Sequence, residues 1–252
     1  MAITLVLIGA GHAHLALLAQ ASRLRAAGVA PVLISPATFD YSGLITGVLS
    51  GALHPDSARI DVAALAQKNG VPHIVSEVFA VDRVARQLSL IDGTNQSYDA
   101  VSFNIGSGVI DPVALAQAAR VWPVKPLASL FALRQALETR FDAGTPTPSI
   151  VVAGDGPTGF EIAGALTGLH ERHGRTVRLV LVGPDTEARW ATRRGAQALL
   201  HNLDRRGVTR MVAEIAAVEG DQLHLSGGRQ LACDHLVLAT GLQAPVLTQT
   251  LD

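Results

Sequence analysis

Short apolar runs alternate along the chain with glycine-rich turns and with stretches of helical periodicity. The clearest case is Ser149–Ala153, a run typical of buried parallel strands, which leads into a glycine-rich turn and a helix over Gly154–Glu161. A second copy of this pattern stands near the beginning, where Ile3–Ile8 leads into Gly9–His14. The two turns begin 145 residues apart, the difference between positions 154 and 9, so we predict a duplication on the scale of domains.

The glycines of the second turn follow GxGxxG spacing, and each has its own physical task. Gly154 is expected to make the tight turn, Gly156 to let the backbone approach a pyrophosphate, and Gly159 to let helix and strand pack closely. The N–H groups at the helix start, where Pro157 and Thr158 lie, would then hold the diphosphate. Two such strand–turn–helix units in one chain indicate two dinucleotides and electron transfer between them.

The rest of the first half predicts a helix over His12–Ala27, a buried strand over Pro31–Ser35, an irregular stretch over Thr38–Ser57 and an antiparallel meander over Glu77–Val101. The irregular stretch is either a surface loop or a wall of the ligand cleft, and both remain open. In a dinucleotide fold, an acid near the end of the second strand binds the ribose hydroxyls. Here that strand ends in a serine followed by Pro36.

The second half repeats this plan after a proline-rich linker. The spacing predicts helices over Leu127–Phe141, Pro157–His173 and Arg189–Arg206, a strand over Thr176–Val182, and a last strand over His235–Ala239. The order of these elements is that of a second dinucleotide-binding unit.

The composition fits a compact α/β protein. Of 252 residues, 48% are hydrophobic and 16% charged, and the net charge of −1 gives no basic field for nucleic acid or an anionic membrane. No apolar stretch reaches the length of a transmembrane helix and no signal peptide is evident, so we predict a cytoplasmic protein. The single cysteine, Cys233, excludes an internal disulfide, and its apolar context favours an inert buried thiol.

In their order, these motifs resemble the FAD-dependent pyridine nucleotide–disulfide oxidoreductase superfamily, and within it the type II NADH:quinone oxidoreductase branch. Ala-Thr-Gly at Ala239–Gly241 is part of the superfamily pattern. The subgroup found alone or fused to selenide, water dikinase is particularly similar, on Gly-His-Ala-His at Gly11–His14 and Tyr-Ser-Gly at Tyr41–Gly43. The resemblance implies two nested Rossmann-like three-layer domains with parallel sheets and antiparallel meanders. Residues 1–112 plus 235–252 would bind FAD, and residues 113–234 would bind NAD(P)H.

The resemblance also implies site residues. Those for FAD comprise the first turn, the end of the second strand, the Tyr-Ser-Gly segment, the adenine-side strand and the two small-residue turns beside the flavin: Gly9, Gly11, His12, Ala13, His14, Ser35, Pro36, Ser42, Gly43, Val78, Asn104, Ile105, Gly106, Ser107, Thr240 and Gly241. Those for the pyridine nucleotide are Gly154, Gly156, Pro157, Thr158, Gly159 and Gly183.

Two side chains are candidates for the catalytic centre. Glu161 matches the glutamate of a GxGxxGxE pattern near the nicotinamide–flavin contact, the alternative being a solvated acid in the first turn of a helix. Lys125 would stabilise negative charge on the reduced flavin, the alternative being a linker lysine. Arg193 and Arg194 could neutralise a 2′-phosphate or be solvated helix charges, so NADH and NADPH both remain open.

Departures from the family pattern matter as well. His14 stands at the third glycine position of the first turn, which should push helix and strand apart slightly. The lack of paired cysteines argues against disulfide reduction and sulfide:quinone chemistry. The family's C-terminal segment is missing, so we expect a truncated chain, with peripheral membrane contact only through that missing part.

Histidine spacing predicts no metal site. His12 and His14 are two residues apart, whereas metal ligands on a helix are three or four apart. His170 and His173 have suitable spacing but no further ligand, so a solvated helix face is expected.

The predicted function is an FAD-dependent NAD(P)H oxidoreductase that passes hydride from nicotinamide to flavin and then to a small-molecule acceptor such as a quinone. The alternative is a nucleotide-binding module, or a truncated fragment, without turnover of its own. Selenium-linked reduction is a third reading by family analogy. The acceptor and the oligomeric state are not indicated by the sequence.

Overall fold

The computed structural model describes residues 2–111, 120–249 and 251, and the chain divides into two compact units. The first comprises Met1–Tyr41, Arg59–Ser107 and Ala244–Asp252, and the second comprises Ser42–Ala58 and Gly108–Gln243. The predicted α/β class, with parallel sheets and antiparallel meanders, is confirmed. No helix within the described ranges is long and apolar enough to cross a membrane.

The unit bounds differ from the predicted domain bounds at three places, one of which is the stretch 108–111, since the second unit resumes at Gly108. Residues 42–58 pack in the second unit, because their short helix buries Ile45 and Leu49 in that unit's core. The strand predicted over His235–Ala239 also lies in the second unit, where it pairs in parallel with Ile150–Ala153. The predicted boundary itself, between residues 112 and 113, lies outside the described residues.

The first unit is built around a parallel sheet. Numbered along the whole chain, its elements are β1 Ile3–Ile8, α1 His12–Ala19, α2 Ala21–Ala26, β2 Val29–Ile34, β3 Thr38–Asp40, β4 Arg59–Asp61, α4 Val62–Lys68, β5 His73–Ile74, β6 Val78–Asp82, β7 Gln87–Leu90, β8 Asn95–Ser97, β9 Ala100–Phe103 and α8 Val246–Gln249. The sheet order is β5-β2-β1-β9, and β6-β7-β8 form the predicted antiparallel meander. Central β1 is flanked on both sides, which explains its apolar run.

The second unit repeats the parallel sheet. Its elements are α3 Ile45–Leu49, β10 Gly108–Val109, β11 Val121–Pro123, α5 Ala128–Asp142, β12 Ser149–Ala153, α6 Pro157–Arg172, β13 Arg178–Gly183, α7 Arg193–Arg205, β14 Thr209–Val212, β15 Ile215–Glu219, β16 Gln222–Leu225, β17 Gln230–Ala232, β18 His235–Leu238 and β19 Leu242–Gln243. The sheet order is β11-β18-β12-β13-β14, all parallel. The centre of this sheet is shielded from solvent, because Ile150, Val151 and Val152 are fully buried.

Several predicted elements need correction. The helix expected over His12–Ala27 breaks at Gln20, whose φ of −108° and ψ of 15° are not helical, so α1 and α2 are separate. The helix expected from Arg189 begins at Arg193, because the Thr192 side chain accepts the Gly195 N–H at 3.2 Å and caps it. The stretch expected to be irregular contains β3, α3 and two 3₁₀ turns.

The prediction of a solvated face for His170 and His173 is wrong for the first of them. His170 is fully buried, and its Nδ1 lies 2.8 Å from the Leu166 carbonyl oxygen, one turn earlier in α6. Its ring packs edge-on against Phe141 with centroids 4.9 Å apart. The imidazole therefore belongs to the α5–α6 packing, which spacing within one helix does not reveal.

Candidate functional site

The first glycine turn follows β1 and touches the chain after β9. A Cβ atom on Gly9 would lie 2.4 Å from the carbonyl oxygen of Asn104, and one on Gly11 would lie 1.6 Å from the Asn104 side-chain oxygen. Gly9 also has a φ of +84°, which disfavours other residues. Backbone bonds from Gly11 N–H to Asn104 O (3.2 Å) and from Asn104 N–H to Ile8 O (2.8 Å) fix the approach. Both glycines are thus sterically required.

The start of α1 offers donors to an anion. Gly11 is the N-cap and its helix has no side-chain cap, so the first-turn N–H groups have no partner of that kind. His12 and Ala13 are exposed there. The His12 ring packs edge-on against Phe39 and Tyr41, with centroids 5.5 Å and 5.0 Å apart. The partial positive charge at the start of α1 and its free N–H groups suit a diphosphate at this turn.

His14 lies behind the turn rather than at its surface. It is 1% exposed, its Nδ1 is 2.6 Å from the Gly9 carbonyl oxygen, and its Nε2 is 2.9 Å from Ser102 Oγ. A carbonyl can only accept, so Nδ1 carries the proton and Nε2 accepts from the serine hydroxyl. Burial lowers the pKa of His14, and the Gly9 bond opposes this only in part, which favours the neutral ring.

The segment after β9 carries the other predicted residues of this turn. Asn104 and Ile105 are the backbone against which Gly9 packs, whereas Gly106 is exposed with a φ of +77°. Ser107 is half-buried beside it. Gly106 has nothing within 4 Å of an added Cβ, so its conformation, not its packing, requires glycine.

At the end of β2, the serine that replaces the expected acid is already bonded. Ser35 is 2% exposed, and its Oγ lies 3.1 Å from His73 Nε2 and 2.9 Å from the Pro36 carbonyl oxygen. His73 also approaches the Ser35 carbonyl at 3.1 Å. Sequence reasoning missed His73, because nothing local ties it to a serine 38 positions earlier. Val78 begins β6 and is 9% exposed, in the core of the first unit.

The second turn follows β12, and its glycines approach backbone atoms closely. A Cβ on Gly154 would lie 2.1 Å from the Ala239 carbonyl oxygen, and one on Gly159 would lie 1.8 Å from the Gly154 carbonyl oxygen. Gly156 is the N-cap of α6, with Pro157 at the first helical position and no side-chain cap. The start of α6 therefore offers the same kind of anion site as α1.

An acid inside the second turn joins it to the loop after β13. Asp155 accepts a hydrogen bond through its carboxylate from the Asp185 N–H, and through its carbonyl from Trp190 Nε1 at 2.9 Å. A Cβ on Gly183 would lie 2.6 Å from the Asp155 carboxyl carbon, which explains that glycine. The Trp190 ring packs edge-on against Phe160 at 5.6 Å. Sequence reasoning missed Asp155, although an acid between the first two glycines was a visible signal.

Comparison with known proteins decides the family. The sequence pattern of the pyridine nucleotide-disulphide oxidoreductases matches residues 3–250. The chain belongs to this family. Two curated NADH dehydrogenase-like proteins of Mycobacterium tuberculosis, from strains CDC 1551 / Oshkosh and H37Rv, are each 34% identical over 213 residues. The match covers 77% of this chain and 51% of each relative, so the chain spans about half the length of those proteins.

Solved structures share the fold at low sequence identity. NDH2 of Plasmodium falciparum in complex with NADH superposes with a TM-score of 0.84 at 14% identity, over 99% of this chain and 57% of that one. The covalent putidaredoxin reductase–putidaredoxin complex gives a TM-score of 0.76 at 17% identity, over 95% and 58%. Both likenesses concern the Rossmann-like architecture.

The remaining predicted family residues of the second unit lie along one sheet edge or close to it. Lys125 follows β11 and is half-buried, and burial lowers its pKa. Thr240 follows β18 and donates its hydroxyl to the Ile110 carbonyl, and Gly241 has a φ of +109°. Because the strands are parallel, their carboxyl ends share the edge at which Gly154 turns. Glu161 is exposed in α6.

The Tyr-Ser-Gly segment lies at a junction of the two units along the chain. Ser42 and Gly43 are exposed in a 3₁₀ turn that precedes α3, within the second unit. Tyr41 belongs to the first unit, where it contacts His12. Their role in cofactor binding stays a prediction.

Proposed function

We propose that this chain carries the FAD and NAD(P)H sites of a flavin-dependent NAD(P)H oxidoreductase. The observation that carries the proposal is the pair of glycine turns, each at the carboxyl end of a buried parallel strand and each followed by an uncapped helix start. Membership of the pyridine nucleotide-disulphide oxidoreductase family and the NADH dehydrogenase-like relatives support it.

The first unit would hold FAD and the second would hold the pyridine nucleotide. Gly9, Gly11 and the start of α1 would bind the FAD diphosphate, with His12 and Ala13 lining the opening. The Gly154 turn and the start of α6 would bind the diphosphate of NAD(P)H. When bound, FAD would supply the hydride-transfer chemistry.

The chain's own part is positioning and electrostatics. Lys125, at the carboxyl edge of the second sheet, would supply positive charge to the reduced flavin, and its half-buried position strengthens that interaction. Glu161 would orient the nicotinamide end from α6. We propose a quinone as the acceptor and the cytoplasm as the location. The unpaired buried thiol of Cys233 suits a reducing compartment.

We also propose that NADH is preferred to NADPH. The carboxylate of Asp155 lies beside Gly183, at the strand end where a dinucleotide fold places the adenosine ribose, and Asp185 follows two residues later. An acid there accepts from ribose hydroxyls and repels a 2′-phosphate. Arg189, whose Nε is 3.3 Å from Asp185, offsets only part of this charge, because its side chain is 79% exposed.

A nucleotide-binding module without turnover is the second candidate, and one observation favours it. Ser35 stands where the ribose acid of an FAD site is expected, and its hydroxyl is buried against His73. The visible absorption of the purified chain separates the two. Flavin bands that bleach when NADH is added support the oxidoreductase, whereas a colourless chain that binds NADH and takes up no added FAD supports the module.

A further inference from the structure

The two glycine turns differ in what contacts the carbonyl of their first glycine. In the second turn the carbonyl of Gly154 points at the α6 backbone, so close that a Cβ on Gly159 would be 1.8 Å away. In the first turn the equivalent carbonyl of Gly9 meets the imidazole of His14 at 2.6 Å instead. A side chain thus contacts the turn carbonyl in place of the helix backbone.

The imidazole controls the orientation of a peptide group. The C=O and N–H of one trans peptide point in opposite directions, so a Gly9 carbonyl aimed at His14 turns the Ala10 N–H away from it. Within the described residues, the Ala10 N–H donates no hydrogen bond, although Ala10 is 6% exposed. A backbone N–H without a protein partner is a donor that a ligand oxygen can occupy.

The imidazole is itself held in place. Ser102 lies on β9, which pairs with β1, and its hydroxyl donates to His14 Nε2 at 2.9 Å. The Gly9 carbonyl sets the tautomer, with the proton on Nδ1, and the bond to Ser102 holds the ring orientation. A chain of hydrogen bonds therefore runs from Ser102 through His14 to the Gly9–Ala10 peptide.

We propose that His14 is a positioning residue of the first turn, which holds the Gly9–Ala10 peptide so that the Ala10 N–H donates to the diphosphate of FAD. The inference rests on the proposed function, because it takes FAD as the ligand of this turn. Ser102 acts through His14 and touches no cofactor atom in this role.

Substitutions at His14 distinguish a role as hydrogen-bond donor from a role as a ring that only fills space. His14→Leu keeps apolar volume without the donor, and His14→Asn keeps a short side chain that can donate to the Gly9 carbonyl. His170→Leu is the matched control, since His170 is also fully buried and bonds a backbone carbonyl, at 2.8 Å, in the second unit. Flavin fluorescence titration of the FAD-depleted full chain gives the FAD Kd, and thermal melting reports folding.

We expect His14→Leu to raise the FAD Kd about tenfold, the effect of one lost hydrogen bond to a charged group, and His14→Asn to stay within about threefold of wild type. His170→Leu should lower the melting temperature and leave the FAD Kd unchanged. Equal affinity of wild type and His14→Leu, or an equal loss in the Asn and Leu variants, overturns the inference alone. A wild-type chain that binds no FAD overturns the proposed function and this inference together.

Discussion

The carboxylate of Asp155 accepts the backbone N–H of Asp185, thirty residues further along the chain. This bond ties the Gly154 turn after β12 to the loop after β13. In the proposed NAD(P)H site, a residue of the GxGxxG motif would therefore also contribute negative charge beside the adenosine ribose.

Nucleotide preference should therefore respond to two acids in different ways. Asp155→Asn keeps an acceptor for the Asp185 N–H but removes the charge, so the NADH Kd should change little while the NADPH Kd falls. Asp185→Ala should weaken NADH about tenfold, because a hydrogen bond from the ribose to a charged acceptor is lost. Titration with both nucleotides measures this, with Asp142→Ala, exposed on α5, as control. Unchanged ratios of the two Kd values would contradict the NADH preference.

Gly159→Ala should abolish tight NADH binding. The new Cβ would start 1.8 Å from the Gly154 carbonyl oxygen, so α6 must shift by about 1 Å and its first-turn N–H groups move with it. We expect at least about a tenfold rise in the NADH Kd. Gly164→Ala, in the same helix with nothing within 4 Å of its added Cβ, should bind NADH normally and be up to about 1 kcal/mol more stable. Equal NADH affinity in the two variants would refute the close approach.

His235 should make the chain less stable in mild acid. Trp122 Nε1 donates to its Nδ1 at 3.1 Å, and burial, aided by Arg140, lowers the pKa of His235 to about 4. Between pH 6.5 and 4, His235 is protonated in the unfolded chain but neutral in the folded chain. The free energy of unfolding therefore decreases by about 3 kcal/mol as the pH is lowered across that window. His235→Gln, which keeps an acceptor but does not titrate, should flatten this part of a urea-unfolding profile. An unchanged slope would assign the loss to other groups.

Cys233 should be chemically silent in the folded chain. It is 6% exposed, and burial raises the pKa of its thiol to about 12, so almost no thiolate exists at neutral pH. Iodoacetamide should leave the native mass unchanged and add one label in guanidinium. Rapid labelling without denaturant would show that the segment between β17 and β18 opens readily.

The sequence predicts those parts of the fold that depend on neighbours along the chain. The apolar run of β12 and the glycines at positions 154 and 159 are local signals, and strand burial and close helix packing follow from them. The contacts that tune each turn are not local. Ser102 is 88 positions from His14, and no pattern within either segment points to the other.

Local propensity also mislocates boundaries where a cap or a tertiary contact decides. The start of α7 is set by the Thr192 cap, although the residues before it have acceptable helix propensity. Residues 42–58 contain three glycines and look irregular, yet α3 forms because Ile45 and Leu49 are buried against the second unit's core. Tertiary burial outweighs the weak local preference there.

The segment that contains α3 has a consequence for how the polypeptide can be divided. The backbone passes from one unit to the other after Tyr41, Ala58, Ser107 and Gln243, so neither unit is a continuous stretch of the gene. A fragment covering 108–243 would lack Ile45 and Leu49, and its α6 would present an uncovered apolar surface to water. The second unit therefore completes its core only when both of its chain segments have been synthesised, so we expect the two units to fold in one coupled process.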